Sequence, residues 1–512
     1  MTLGQLVQFI PDCSISGDSN VQIRGISIDS RQVEQGDLFI ALKGAQSTGA
    51  RYVEEAIGKG AVAIACDESL HNTKVPFVRL LHPRRHLGTL ASQVYGSPGS
   101  HMSVVGITGT NGKTTTSLLV EAILNHCGRF AGYIGTTAYR WKGLDSTGKG
   151  VTTEKESVRT SPEAPELHKM IREMHKAGVT DVVVECSSHG LEYGRLNGLA
   201  LDVAVFTNLT PEHLDFHKDM DRYREAKWKL FGDVLYASSK KQRTAVLNLD
   251  DATGKLWAGR ISEPKLTYSL ENPKADLFAE NYSFTPKGLQ AALRIGGEQF
   301  EIRSPLIGRH NVANILAALC TADVLHIPLR RAIEALNEVH VVPGRLEAIP
   351  NSRGYHLFVD YAHTEDALRN VLEAITPIKD KRLIVVFGCG GDRDRTKRPR
   401  MTQAVLQFAD VALLTSDNPR SEDPNTIVEQ ALAGAPQNIH RVNVDELNTA
   451  SQSVICPIVD RRKALERALE IMEFGDTLLV AGKGHETYQE INGIRLPFDD
   501  REILKGALGG KK

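Results

Sequence analysis

Short apolar runs alternate with helical stripes along most of the chain. From His356 onward, the runs HLFVDYAH, RLIVVFGCGG, VALLTSDN, VICPIVD and DTLLVAGKG are separated by EDALRNVLEAI, MTQAVLQFA, TIVEQALAGA and RKALERALEIM. Short apolar runs bounded by turn residues read as strands buried on both faces, while the segments between them carry helical periodicity. This alternation predicts a doubly wound domain. In such sheets ligands bind beyond the carboxyl ends of the strands. Those ends carry Asp360 and His363, Asp392 and Arg393, Asp417 to Arg420, and Gly482 to Glu486.

Upstream, SVVGIT, GTNG and KTTTSLLVEAILNHC predict strand, glycine-rich turn and helix, with Gly128 placed as a C-cap. DVVVECSS and DVAVFTNL predict further strands of a buried parallel sheet. Residues 1 to 100 mix strand-like runs (GISIDS, DLFIALKG, AVAIACD, PFVRLL) with a helical pattern around YVEEAIGKG, and YGSPGSHMS reads as a linker. At 512 residues the chain is too long for one core, so several domains are expected.

With 61 basic and 62 acidic residues, the charge of −1 gives no electrostatic footprint for nucleic acid or a membrane surface. Apolar content of 41% and charged content of 24% describe an ordinary globular protein. No apolar run approaches the ~20 residues of a membrane span, and MTLGQLVQFIPDCS lacks the basic start of a signal peptide. The seven cysteines are scattered without a C-x-x-C pair, which argues for reduced thiols in a cytoplasmic protein.

The strongest local signal is GITGTNGKTTT, residues 106–116. Glycines let backbone N–H groups curl around a phosphate, Lys113 adds a mobile charge, and the helix N-terminus adds its dipole. Thr114 is placed to offer its hydroxyl to Mg²⁺. A strict phosphate-loop pattern would have glycine at 107, where this chain has Ile107. An NTP site is expected.

In MDRYREAKWKLFGDV, Lys227 falls inside the stripe of Tyr223, Ala226, Leu230, Phe231 and Val234. Spacing leaves two outcomes open: the ammonium reaches solvent along its stem, or the amine is buried and paired or neutral. A neutral amine can react with CO₂ to a carbamate, a hard metal ligand. Glu185 and His213 sit at or just beyond strand ends, where they could join Thr114 and Lys227 around Mg²⁺.

GTNGKTT, ECSSHGLEYGR, TPEHLDFH, EAKWKL, GRHNVANILAA, VPGRLE, VDYAHTEDAL, GCGGDRDRTKRP, SDNPRSEDP and AGKGHETYQ occur in the order seen in the Mur ligases, and the chain resembles that family from about Ile28 to Arg501. The resemblance implies a three-domain α/β fold: an N-terminal UDP-binding domain at 1–100, a central ATPase domain with a parallel sheet at 101–342, and a C-terminal Rossmann-like doubly wound domain at 343–512. It implies that ATP phosphorylates the carboxylate of UDP-MurNAc-L-Ala-D-Glu and that an incoming amine attacks the acyl phosphate. A monomer acting on small molecules in the cytoplasm is expected.

Carried over motif by motif, Gly109, Thr110, Asn111, Gly112, Lys113, Thr114 and Thr115 would cradle ATP, with Asn311 and Arg345. Thr114, Glu185, His213 and Lys227 as its carbamate would serve Mg²⁺, and Lys113, Lys227, Glu185 and His213 would be the catalytic groups. Ser30, Thr160, Ser161, Ser187 and Arg195 match contacts to the UDP-sugar-peptide. Arg393, Asp417, Asn418, Pro419, Arg420, Gly482 and Glu486 match the pocket for the added amino acid. DNPR resembles the version selecting meso-diaminopimelate, whose distal carboxylate pairs with the arginine.

Many relatives have a His near GAQSTGARY, where residues 45–47 have none, and the usual Thr-Thr-Pro reads Thr160-Ser161-Pro162. The chain is also longer than usual between Gly434 and Asp476. An L-lysine-adding member of the family, a folylpolyglutamate synthetase-like ligase and a non-catalytic nucleotide-dependent binding module are the alternatives. DNPRSEDP and GKGHE count against the synthetase. Glu185, His213 and Lys227 together count against the binding module.

Overall fold

The computed structural model describes every residue except 12, 44–47, 69–72, 146, 286, 340–341, 450–452 and 510–512, so the loop at 45–47 lies outside the described residues. Two compact units emerge. One comprises Met1–Leu209, His217–Leu277 and Leu316–Ala332, the other Thr210–Phe216, Phe278–Ile315 and Ile333–Lys512.

The first unit opens with five short strands, β1 (Ser14–Ser16), β2 (Gly25–Ser27), β3 (Asp37–Ile40), β4 (Ala63–Cys66) and β5 (Phe77–Arg79), in the order β1-β5-β4-β3-β2. All neighbours are parallel except β1 with β5. DLFI and AIAC are buried at every position, as the continuous apolar runs required. The helix Pro83–Val94 has no counterpart in the sequence reading. Its segment PRRHLGTLASQV carries two arginines and a glycine, yet it starts on Pro83 and buries Leu87, Leu90 and Ala91 in the core of this sheet. The expected linker is also corrected. Pro98–His101 forms a 3₁₀ turn with Pro98 and Gly99 buried, because a Cβ at Gly99 would already touch Val104 and Ala200.

The second sheet of this unit is built on β6 (Ser103–Thr108), β7 (Ala131–Ile134), β8 (Tyr139–Leu144), β9 (Gly150–Lys155), β10 (Asp181–Glu185), β11 (Val203–Phe206), β12 (Thr244–Asn248) and β13 (Lys265–Ser269). Their order is β13-β12-β11-β6-β10-β7-β8-β9, parallel up to β7 and antiparallel beyond. The helix after β6 runs Lys113–His126 and stops at Gly128, whose φ of 79° only a glycine adopts cheaply. The helix Met220–Lys229 continues into a π-helical turn, Leu230–Leu235. Its predicted stripe is buried throughout, Lys227 included.

The second unit contains β14 (Leu277–Thr285), β15 (Gly288–Ile295) and β16 (Glu298–Ser304), with β15 and β16 antiparallel. Its main sheet comprises β17 (Glu347–Ala348), β18 (His356–Asp360), β19 (Leu383–Cys389), β20 (Val411–Ser416), β21 (His440–Arg441), β22 (Val454–Pro457) and β23 (Thr477–Ala481). The order is β17-β18-β23-β19-β20-β22-β21, parallel apart from β17. Leu368, Met401 and Ile427 from three helices pack on one face, and Leu465 and Leu504 from two others on the opposite face. That is the doubly wound arrangement. A hairpin of β24 (Tyr488–Ile491) and β25 (Ile494–Pro497) follows β23. Ile307 is buried in the core of this sheet and Phe284 packs against it, which draws 278–315 into the second unit. Among the described residues no helix is long and apolar enough to cross a membrane.

Candidate active site

In the first unit the phosphate loop leaves β6 at Thr108, whose hydroxyl donates to the Cys186 carbonyl at 2.8 Å. The loop is fixed from one side by β11. Thr110 N–H donates to the Asn208 carbonyl at 2.8 Å, Asn111 N–H to Asn208 Oδ1 at 2.9 Å, and Thr207 Oγ1 to the Asn111 carbonyl at 2.6 Å. Gly109 has φ +156°, and a Cβ there would lie 1.8 Å from Thr207 Oγ1. Lys113 Nζ folds back onto the carbonyls of Gly109 and Thr110, at 2.9 Å each. Gly112 caps the helix without a side chain, so the first-turn N–H groups gain no partner from it. Loop and helix end thus form an anion cradle.

Glu185, at the end of β10, is the centre of a buried network. Thr114 Oγ1 donates to its Oε2 at 3.0 Å, Thr136 Oγ1 to the same oxygen at 2.9 Å, and Thr136 N–H to Oε1 at 3.1 Å. Tyr133 donates its hydroxyl to Oε1 as well, and burial with the adjacent carboxylate pushes that phenol far above its ordinary pKa. Thr136 and Tyr133 were not singled out from the sequence, because both look like ordinary residues near a strand end.

The sugar-peptide candidates join the same network. Thr160 Oγ1 lies 3.1 Å from Thr136 Oγ1, Ser161 Oγ donates to the Glu185 carbonyl at 2.9 Å, and Ser161 and Ser187 hydroxyls are 3.0 Å apart. Arg195 reaches the Ser161 carbonyl at 3.2 Å and pairs with Glu163 at 2.8 Å. Ser30 lies apart from them. It donates to Glu55 at 2.7 Å and lines a cavity of about 1110 Å³ with Arg31, Tyr52, Arg159, Glu163 and Lys169.

Lys227 is 1% exposed, so its stem does not carry it to water. Its Nζ donates to the Gly109 carbonyl at 2.7 Å and stands 4.5 Å from the centre of the Tyr223 ring. The Tyr223 hydroxyl in turn lies 3.2 Å from Thr110 Oγ1. The four residues expected around Mg²⁺ divide between the units: Thr114, Glu185 and Lys227 belong to the first, His213 to the second. His213, at φ +56°, is 3.7 Å from Glu212, which also lies 3.9 Å from His363. Among the described residues no group of three or more His, Cys, Asp or Glu is spaced to hold a metal. The Thr114 hydroxyl and Glu185 carboxylate are hard oxygen donors 3.0 Å apart, a pair that fits Mg²⁺.

In the second unit, Asn311 is tied within its own helix, donating to the Ile307 carbonyl at 2.8 Å and accepting from Asn314 at 3.0 Å. The Arg345 guanidinium lies 4.9 Å from the Tyr361 ring centre. Burial, with Arg345 as a lesser cause, lowers both His310 and His485 to about 4, so these imidazoles are neutral at pH 7.

The strand-end clusters do converge. Asn418 Nδ2 donates to Glu486 at 2.8 Å, and Lys483 Nζ donates to Asn418 Oδ1 at 3.0 Å and to Glu486 at 3.2 Å. Burial alone would raise the Asp417 carboxyl, but Lys483, Arg461, His363 and Arg420 outweigh it and hold it below its usual range. Arg420, at φ +52°, donates to the Gly391 carbonyl at 2.7 Å, and its Nε lies 3.6 Å from Glu490. Arg393 donates to the carbonyl of Asp392 at 3.1 Å. Pro419 and Gly482 are buried beside these residues in the chain. Lys483 lies within the expected strand-end stretch Gly482 to Glu486 and Arg398 within GCGGDRDRTKRP, but neither of them nor the buried Arg461 was singled out from the sequence.

A doubly wound sheet with a charged strand-end cleft, together with a phosphate cradle on a parallel sheet, defines a multidomain α/β protein of the nucleotide-binding class. Known proteins sharpen this. The Mur ligase middle domain matches residues 107–322, the glutamate ligase domain of Mur ligases 344–484, and the Mur ligase family catalytic domain 22–95. The chain belongs to the Mur ligase family. It is 38% identical over 491 residues to the UDP-N-acetylmuramoyl-L-alanyl-D-glutamate–2,6-diaminopimelate ligase of Halalkalibacterium halodurans, covering 96% of this chain and 95% of that one. The ligase of the same name from Streptomyces coelicolor is 40% identical over 498 residues, 96% and 93% of the two chains. A solved structure of a ligase so named superposes with a TM-score of 0.68 at 33% identity, covering 99% and 98%.

Proposed function

We propose that the chain joins meso-2,6-diaminopimelate to UDP-MurNAc-L-Ala-D-Glu at the expense of ATP, in the synthesis of a peptidoglycan precursor. The observation that carries this reading is the cleft of Asp417, Asn418, Arg420, Lys483 and Glu486. It offers carboxylates and cations side by side, as an acceptor with two ammonium and two carboxylate groups requires. The names of the full-length relatives support the same substrates.

The domains are proposed to be 1–100 for the UDP moiety, 101–342 for ATP and 343–512 for the added amino acid, in a monomer. The cavity beside Ser30 is the place for the nucleotide-sugar, and Arg195 and Ser161 face the peptide. ATP lies along Gly109–Thr115, where Lys113 leaves its loop carbonyls for phosphate oxygens; Asn311 and Arg345 are proposed as further ATP contacts.

The substrate carboxylate attacks the γ-phosphorus, its P–O bond to ADP breaks, and an acyl phosphate forms. The acceptor amine then attacks the acyl carbon, loses a proton, and phosphate leaves to give the amide. Such chemistry is mainly positioning and charge neutralisation. Mg²⁺, when bound, supplies charge neutralisation at the phosphoryl oxygens. Thr114 and Glu185 would hold it, with Lys227 as carbamate and His213.

The test is ATP-dependent phosphate release with UDP-MurNAc-L-Ala-D-Glu, offering meso-diaminopimelate and L-lysine in parallel. Phosphate and amide are expected with diaminopimelate alone. Turnover with lysine instead would overturn the assignment of the acceptor, and turnover with neither would overturn the ligase.

A further inference from the structure

Lys483 is completely buried, and it is the hub of the cleft. Its Nζ lies 3.0 Å from Asn418 Oδ1, 3.2 Å from Glu486 Oε2 and 3.5 Å from Asp417 Oδ1. A lysine ammonium has three donors and no acceptor, so Asn418 must turn its oxygen toward it. Glu490 N–H donates to that same oxygen at 3.0 Å. Two donors on one atom settle the amide orientation, which leaves Nδ2 aimed at Glu486 Oε2 at 2.8 Å. Glu486 Oε1 takes part in neither contact.

The charges follow the same logic. Asp417 and Glu486 are two carboxylates that share one ammonium, while Arg461 and Arg420 act on Asp417 as well. Without Lys483, Asp417 and Glu486 would lose the one cation they share.

We propose that Lys483 is a positioning residue for the acceptor: by locking the Asn418 amide and anchoring the Glu486 carboxylate through their ion pair, it sets the site's affinity and selectivity for the amino-acid head group. This rests on the ligase function proposed above. Lys483 does not touch the reacting atoms; it acts through Asn418 and Glu486.

The experiment is steady-state kinetics on the full chain for wild type, Lys483→Met, Glu486→Gln and the double variant. Lys483→Met should raise the diaminopimelate KM by roughly 10- to 100-fold, the scale of a lost charged hydrogen bond. The KM values for ATP and UDP-MurNAc-L-Ala-D-Glu should stay within about twofold, and kcat should change far less than the diaminopimelate KM. In the Glu486→Gln background the same substitution should cost less than in wild type, because only the Asp417 and Asn418 contacts are left for Lys483 to hold. That background also relieves the unpaired carboxylate, so the comparison survives if Lys483→Met alone does not fold. Equal rises in all three KM values, or additive effects of the two substitutions, would overturn the proposal. A wild type that does not turn over diaminopimelate would instead overturn the acceptor assigned above.

Discussion

Lys227 Nζ donates to the Gly109 carbonyl at 2.7 Å across 118 positions of chain. The bond ties the buried face of one helix to the phosphate loop. Gly109 accepts from Lys113 too, at 2.9 Å, so the loop does not depend on Lys227 alone for its shape.

Lys227→Met should therefore fold with an unchanged or slightly higher melting temperature, since an apolar side chain of similar length replaces a buried cation. Phosphate release should fall at least about 10²-fold, the usual cost of removing a charge-stabilising group. Depleting dissolved CO₂ should lower wild-type activity reversibly, and ¹³CO₂ should place one labelled carbamate on this residue. A variant with full activity would remove Lys227 from the catalytic groups.

Arg420 is held at its backbone by Glu490 and Asn492 and at its side chain by Gly391. Arg420→Ala should raise the KM for diaminopimelate by roughly 10- to 100-fold while the KM for ATP holds, on the scale of a charged hydrogen bond. Arg420→Lys should recover little, because a point charge cannot make the two-pronged contact. Parallel titrations of acceptor and ATP check this.

A Cβ at Gly391 would sit 1.9 Å from the Pro419 carbonyl oxygen, a backbone atom that cannot rotate away. Gly391→Ala should push the two loops apart, costing about 1–3 kcal/mol of stability and weakening the acceptor more than the nucleotide. Chemical denaturation and acceptor titration on one sample measure both effects.

The guanidinium of Arg398 holds Glu422 down to about 2, from an ordinary 4.5. The folded-state value is depressed, so this pair's contribution is complete above about 4.5 and is lost as pH falls toward 2. Glu422→Gln lacks that charge. The gap in melting temperature between wild type and Glu422→Gln should therefore be constant from pH 7 to about 5 and narrow between about 4.5 and 3. A gap independent of pH would refute the assignment.

Much of this protein was legible from short windows. SVVGIT became β6, EDALRNVLEAI became the helix Glu365–Ile375, and the helix from Lys113 ended at its glycine. Asp417 to Arg420 and Gly482 to Glu486 were correctly expected at strand ends on one edge. The helix Pro83–Val94 was not singled out, although Leu87, Leu90, Ala91 and Val94 stand at helical spacing. The segment 95–103 misled in turn: Gly, Pro and Ser mark a change of direction, but not whether that turn is packed.

What the sequence determined by itself was local: period, turn chemistry, the glycine that ends the helix from Lys113, and the oddity of a lysine in an apolar stripe. These depend on residues within a few positions of one another. Tertiary structure alone decided which charges are buried and with whom. The burial of Lys483, Arg398 and Arg461 is explained only when Asn418, Glu422 and Asp500 arrive from 65, 24 and 39 positions away to satisfy them. A buried charge survives only with its partner, and the partner is chosen by how the strands are ordered in the sheet.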